Sequence, residues 1–180
     1  MQLNYERPLE PIWDPLVETL AAMITLSGEY VVLQVTTPHD GECDPYVQTL
    51  QEEDGALTLE AVSNEFVDPP LGPDAINTLR VMGWTSPDGE EGLPNFRIFL
   101  EADEVEPGHV ARFLVATLRD AYLVTPSDSF ELAPMDLFVQ VVEGEFGDRP
   151  GLAFTPIDLD EVRAKYTRRP KRPKAPPTDS

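Results

Sequence analysis

The chain has 180 residues, 41% of them hydrophobic, which is enough for one folded domain with a real core and a tail. It contains one cysteine, Cys43, and this excludes both an intramolecular disulfide and a zinc site built on several thiolates. No run of about 18 apolar residues occurs, and the first residues lack the basic-then-apolar order of a signal peptide. We therefore expect a cytoplasmic protein that does not enter a membrane.

The charge is distributed unevenly along the chain. The total is −20 from 33 acidic and 13 basic residues, yet residues 163–180 hold seven of the basic residues and a single acid, about +6. The preceding residues keep 32 acids and six bases, a net charge of −26. A body this acidic repels nucleic acid and anionic membranes and favours basic partners. Binding of nucleic acid is therefore expected only through the tail.

The first half of the chain predicts one helix followed by a strand meander. The helix is predicted to begin at Asp14, a typical N-cap before a proline, and to end at Gly28. Segments 30–36, 46–51 and 56–63 are rich in residues that favour strands, and an Asp-Gly pair before the third is a hairpin signal.

The second half continues with two more helices. A helix is predicted between Gly72 and Gly83, an extended piece from Trp84, a strand at 96–101 and a long helix from Glu106. The resulting order, α-β-β-β-α-β-β-α, predicts an α+β fold in which helices pack on an antiparallel sheet of about five strands.

The remaining residues are predicted to form an extension and a tail. We expect residues 1–125 to form the domain and residues 126–166 to pack on it as a C-terminal extension, with a strand at 137–142 and a short helix from Asp158. Residues 167–180 combine prolines with basic side chains and are expected to be disordered.

Several short stretches are similar to those of a known family. Residues 59–66 look like its third strand and exit, residues 79–84 like its helix-glycine-tryptophan junction, Asn95-Phe96 like the start of its later strand, and Leu118-Arg119 like part of its last helix. On these residues the chain resembles the YbjN-like bacterial proteins, which share the fold of type III secretion chaperones and are grouped as TY-Chap domains. The resemblance implies a small domain that holds a segment of a client protein in non-globular form, often as a homodimer.

One acidic loop is similar to the beginning of a calcium site. Asp40, Glu42 and Asp44 alternate as calcium ligands do, but Pro45 and Gln51 stand where an EF-hand needs glycine and glutamate. Residues 88–91 fail the same comparison. We interpret both as solvated acidic loops and expect no metal and no cofactor.

No residue carries the pattern of a catalytic group. Cys43 lies between two carboxylates that oppose thiolate formation, and neither His39 nor His109 belongs to a cluster. No nucleophile elbow or phosphate-binding glycine loop occurs. We therefore predict no catalytic residues and a protein that is not an enzyme.

Strand alternation indicates a partner-binding surface. If the intervening residues face the helices, Tyr30, Val32 and Phe99 point outward and form an apolar platform for a partner segment. The alternative is that the C-terminal extension or a dimer mate covers them. Trp84 has two interpretations as well, since it either fills the gap between the second helix and the sheet or lines a binding groove.

The last helix is apolar around much of its circumference. Ala111, Val115 and Ala116 lie off its main apolar stripe, so we predict that it buries a second face. The extension or a second subunit would meet this face.

Two hypotheses for function follow. The first is a non-catalytic peptide-binding chaperone or adaptor, which buries apolar side chains of a client protein on the sheet while its acidic rim selects basic flanks. The second is a scaffold whose basic tail docks on an acidic partner or nucleic acid, with the acidic domain regulating it.

Overall fold

The described residues form one antiparallel sheet with helices on one of its faces. The computed structural model describes residues 3, 5, 7–27, 30–36, 44–87, 94–126 and 129–134, with the backbone alone given at Ser27, Tyr30, Thr36 and 129–134. The predicted strand at 137–142, the helix from Asp158 and the basic tail lie outside these residues.

The three predicted helices are confirmed. A 3-10 turn, Pro11–Trp13, leads into α1, Asp14–Ser27; α2 is Pro73–Met82 and α3 is Pro107–Ala121. Asp14 was predicted as the N-cap of α1 but has helical backbone angles, φ −55° and ψ −43°, because the 3-10 turn leads directly into the helix.

The end of α2 and the start of α3 are capped by Gly83 and Glu106, the residues at which the sequence predicted these helix limits. Gly83 closes α2 in the left-handed region, with φ 101°, a conformation that costs glycine little. At the start of α3 the Glu106 carboxylate accepts hydrogen bonds from the backbone N–H groups of Gly108 at 3.1 Å and His109 at 2.5 Å. These bonds satisfy donors that have no partner within the helix.

Within the described residues the sheet contains five strands, all paired antiparallel. In chain order they are β1 (Tyr30–Thr36), β2 (Tyr46–Gln51), β3 (Leu57–Ala61), β4 (Phe96–Leu100) and β5 (Ser129–Pro134). Their spatial order is β4-β3-β2-β1-β5. The predicted α+β class and antiparallel sheet are confirmed.

The segment after α2 differs from the prediction. Four strands precede α3, because the extended piece predicted from Trp84 is reduced to one isolated bridge between Thr85 and Arg97. The left-handed Gly83 reverses the chain and the Trp84 side chain turns into the core, so only one residue reaches the strand edge. The fifth strand, β5, instead follows α3 and lies beyond residue 125, where the domain was predicted to end.

The core lies between the sheet and the helices. The inward side chains alternate along each strand and are buried, as Leu33, Leu59 and Ile98 illustrate. In the described part of the chain α3 contacts α1, α2 and β2, which makes it the central helix. The predicted second apolar face of α3, formed by Ala111, Val115 and Ala116, is confirmed as buried.

A buried arginine attaches the N-terminal segment to α3. The Arg119 guanidinium donates to the backbone oxygens of Arg7 at 2.7 Å and Pro8 at 2.8 Å. It also forms ion pairs with Asp120 at 2.7 Å and Glu10 at 3.3 Å. These contacts fix the entry to α1 against the last turn of α3.

Candidate functional site

The open face is our name for the sheet face that points away from the helices. The strand register aligns residues in rows that cross the sheet. The apolar row consists of Tyr30, Leu50, Thr58 and Phe99. The neighbouring polar row consists of Val32, Gln48, Glu60 and Arg97. Adjacent strands are about 4.8 Å apart, so each row is roughly 15 Å long.

The structure places two of the predicted residues on the open face. The Phe99 side chain is 51% exposed between the buried Ile98 and Leu100. Val32 is half-buried between the buried Val31 and Leu33. Their predicted outward orientation is therefore confirmed, whereas contact with a partner stays a prediction.

The backbone of Tyr30 lies at the β1 end of the apolar row. It pairs with Leu50 in the adjacent strand, and Leu50 pairs with Thr58, the neighbour of Phe99. Leu50 is a half-buried residue that sequence reasoning missed. Alternation along β2 contains the signal for it, because Val47 and Thr49 are buried and Leu50 has the opposite orientation.

Trp84 does not belong to the open face. Its side chain is 3% exposed and stacks on Phe113 with ring centroids 5.4 Å apart. Its indole N–H donates to the Thr117 hydroxyl at 3.2 Å. Of the two interpretations given above, the position of Trp84 in the core agrees with the structural one, and its inclusion among the partner-binding residues is corrected accordingly.

A buried carboxylate organises the centre of the open face. Glu60 accepts hydrogen bonds from Gln48 at 2.6 Å and Asn95 at 3.2 Å, and it forms an ion pair with Arg97. Asn95 also donates to the Tyr46 hydroxyl at 3.0 Å. These bonds join residues of three strands and hold the polar side chains beside the apolar row in place.

The outer edge of β4 is occupied on both sides of Phe99. Thr85 donates to the Arg97 oxygen at 2.9 Å and accepts from the Arg97 N–H at 3.1 Å. After β4, the 3-10 turn Ala102–Glu104 is closed by Glu101 and Glu104, whose side chains each accept from the other residue's backbone N–H. A long extended segment therefore has no continuous row of backbone groups to pair with along this edge.

The described residues offer neither a metal cluster nor a membrane span. No group of three or more histidine, cysteine or acidic side chains close enough to hold a metal ion occurs among them. Within the same residues no helix has the length and apolar character needed to cross a bilayer. The His109 ring makes an edge contact with Tyr5, with centroids 6.1 Å apart. Cys43, His39 and most of both acidic loops lie outside the described part of the chain.

One of three comparisons with known proteins found a match. No curated protein and no solved structure matches the chain. A family model, TY-Chap3, matches residues 6–137 and is described as "T3SS (YopN, CesT) and YbjN peptide-binding chaperone 3". The match begins before α1, runs through all five strands and extends past the domain boundary predicted at residue 125. The chain belongs to the TY-Chap3 family.

Proposed function

We propose that this protein is a non-catalytic peptide-binding chaperone or adaptor that holds a segment of a client polypeptide on the open face of its sheet. Membership of a family of peptide-binding chaperones supports a binding role. The observation that carries the choice of surface is the half-exposed Phe99 at the end of the apolar row.

The apolar row provides the binding energy. A phenylalanine buries about 150–250 Å² on full desolvation, so covering the exposed half of Phe99 removes roughly 100 Å² from water. At about 25 cal/mol per Å², this burial contributes about 2 kcal/mol, a change of roughly thirty-fold in affinity. Leu50 in the same row and Val32 in the neighbouring row are already half-buried, so each of them contributes less.

The structure favours binding on the face over strand addition at β4. The backbone groups of Arg97 are paired with Thr85, and the Glu101 N–H is bonded to Glu104. Strand addition needs several consecutive free backbone groups, whereas contact on a face needs only exposed side chains. The client segment therefore crosses the open face over the apolar row.

The experiment selects peptides from a random library displayed on phage, using the full chain as bait. The affinity of the enriched peptides is then measured by fluorescence anisotropy for the double variant Val32→Ser/Phe99→Ser. We expect affinity to fall at least tenfold while the melting temperature stays nearly constant, because the inward faces of β1 and β4 keep their packing.

A second double variant controls for the loss of apolar surface elsewhere. Val81 on α2 is 57% exposed and Leu123 after α3 is 78% exposed, and neither lies on the open face. Val81→Ser/Leu123→Ser should leave peptide affinity unchanged. Equal affinity for wild type and the Val32/Phe99 variant, or equal loss in both variants, would show that the open face is not the binding surface.

A homodimer and a cytoplasmic location stay predictions. Sedimentation equilibrium of the full chain tests the first, and the selected peptide added in excess shows whether the open face is also the dimer contact.

A further inference from the structure

We propose that the open face binds one amide group of the client segment through the side chains of Asn95 and Arg97. This inference rests on the proposed function and adds a polar contact beside the apolar row. The two atoms that make the contact are the Asn95 Oδ1, an acceptor, and the Arg97 Nε, a donor. We call these two atoms the amide site.

Both atoms of the amide site lack a hydrogen-bond partner. Among the described residues they are the buried side-chain nitrogen and oxygen atoms without one. Asn95 as a whole is only 6% exposed. Native proteins satisfy nearly all of their buried polar groups, so each exception needs a physical explanation. An unpartnered acceptor and an unpartnered donor in one side-chain cluster indicate a ligand that supplies both missing partners.

The contacts of the Asn95 amide fix its orientation. Its nitrogen donates to the Glu60 carboxylate at 3.2 Å and to the Tyr46 hydroxyl at 3.0 Å. The reversed amide would place its oxygen against that carboxylate, and two acceptors cannot form a hydrogen bond with each other. The unpartnered atom is therefore the oxygen. The same contacts place Asn95 in the Glu60 cluster, to which Arg97 belongs through its ion pair.

An amide group has the two partners that the site needs. Its N–H donates to the Asn95 Oδ1, and its oxygen accepts a charge-assisted hydrogen bond from the Arg97 Nε. A carboxylate has no donor and an ammonium group has no acceptor. Peptide bonds and the side chains of asparagine and glutamine both contain amides. The main chain is the favoured source, because nearly every client residue carries one and the contact then depends little on client sequence.

The amide site lies beside the apolar row. Arg97 and Phe99 are two residues apart on β4 and lie on the same face, so they leave the strand about 7 Å from each other. Solvent does not reach the two atoms in the free protein. The Arg97 side chain is 35% exposed, so it has room to turn toward a segment that lies over Phe99. This rotation uncovers the amide site as the client binds.

The test combines ester substitutions in a peptide with two arginine variants of the full chain. A peptide selected from the phage library is remade with one peptide bond at a time replaced by an ester, which lacks the N–H and has a weaker acceptor oxygen. Arg97→Lys keeps a positive charge for Glu60 but has no Nε donor. The control is Arg80→Lys, because the Arg80 Nε donates to Ser86 and α2 does not contribute to the open face.

We expect one ester to lower wild-type affinity about tenfold, the loss of one hydrogen bond to a charged group. In Arg97→Lys the same ester should change affinity by less than about twofold, because the donor is already missing. In Arg80→Lys the tenfold effect should persist. A general loss of structure in Arg97→Lys would weaken all the peptides alike and leave the ester effect unchanged, so the ratio separates binding from folding.

The same peptides distinguish the two sources of the amide. A main-chain amide gives the sensitive ester described above. A side-chain amide gives no sensitive ester, but the selected peptides then share an asparagine or glutamine whose replacement by leucine lowers affinity in wild type and not in Arg97→Lys. Either pattern supports the amide site.

Three results would overturn the inference. If neither an ester nor the replacement of an asparagine or glutamine lowered affinity, an amide would not be the ligand, and the proposed function would stand. An effect of equal size in wild type and Arg97→Lys would refute the placement of the site. Failure to select any peptide whose affinity depends on Phe99 would refute the proposed function and this inference with it.

Discussion

Replacing Glu60 by leucine is expected to destabilise the fold although the residue lies on the face away from the core. The Glu60 residue is 7% exposed and its carboxylate is shared by Gln48, Asn95 and Arg97. Leucine removes the acceptor and leaves these donors with one bond fewer. An unsatisfied buried donor costs about 1–3 kcal/mol.

The magnitude follows from how far each donor reaches water. The Arg97 side chain is 35% exposed and Gln48 is half-buried, so both regain part of their hydration. Asn95 is buried but keeps its bond to Tyr46. Allowing for this solvation, we expect the free energy of unfolding to fall by about 2–3 kcal/mol in Glu60→Leu.

Urea unfolding measures this free energy, and a double variant tests the reasoning. In Glu60→Leu/Arg97→Leu no guanidinium is left unpaired, so the double variant should be more stable than Glu60→Leu alone. Thr58→Leu, on the same strand and face, should change stability by less than about 0.5 kcal/mol. The assigned role of the carboxylate would be refuted if Glu60→Leu also changed the free energy of unfolding by less than about 0.5 kcal/mol. It would also be refuted if the loss in the double variant equalled the sum of the losses in the two single variants.

Three further predictions concern buried and strained residues. Thr117→Val removes the acceptor of the Trp84 indole N–H and should lower the free energy of unfolding by about 1–3 kcal/mol in urea titration, whereas a neutral result would contradict that bond. Burial raises the pKa of the Tyr122 hydroxyl, so the unfolded chain ionises first and the stability should fall as the pH rises above about 10. In melting experiments Tyr122→Phe should reduce this fall, and an unchanged pH profile would contradict the prediction. Leu123 has φ 57°, a left-handed conformation that glycine adopts more easily, so Leu123→Gly should leave the melting temperature constant or raise it. The control Val81→Gly in α2 should lower the free energy of unfolding by about 1 kcal/mol. An equal loss at both sites would show that Leu123 is not strained.

The helices could be predicted because their limits depend on local chemistry. Gly83 and Glu106 act on residues within one turn of themselves, so a single sequence contains the signal for both caps. Asp14 is helical already, because the 3-10 turn before it leads directly into α1. The outward positions of Val32 and Phe99 followed in the same way from the period of two along a strand.

Non-local pairing limited the rest of the prediction. The last strand pairs with β1, about a hundred residues earlier, and Pro134 at its end weakens the strand signal, although an edge strand tolerates proline. The ion pair of Glu60 with Arg97 depends on the register of β3 against β4, which no local pattern contains. The prediction of an extended segment from Trp84 was wrong, because burial of its indole ring in the core outweighed pairing of the backbone with a neighbouring strand.

The attachment made by Arg119 also bears on how the protein folds during synthesis. The bonds from its guanidinium to Arg7 and Pro8 join residues separated by 112 and 111 positions. Neither bond can form until the last turn of α3 has left the ribosome, and until then the central helix of the core is missing as well. Contacts of such long range form slowly and leave apolar surface uncovered in the nascent chain. The nascent chain therefore exposes the helix-facing side of its sheet until α3 emerges.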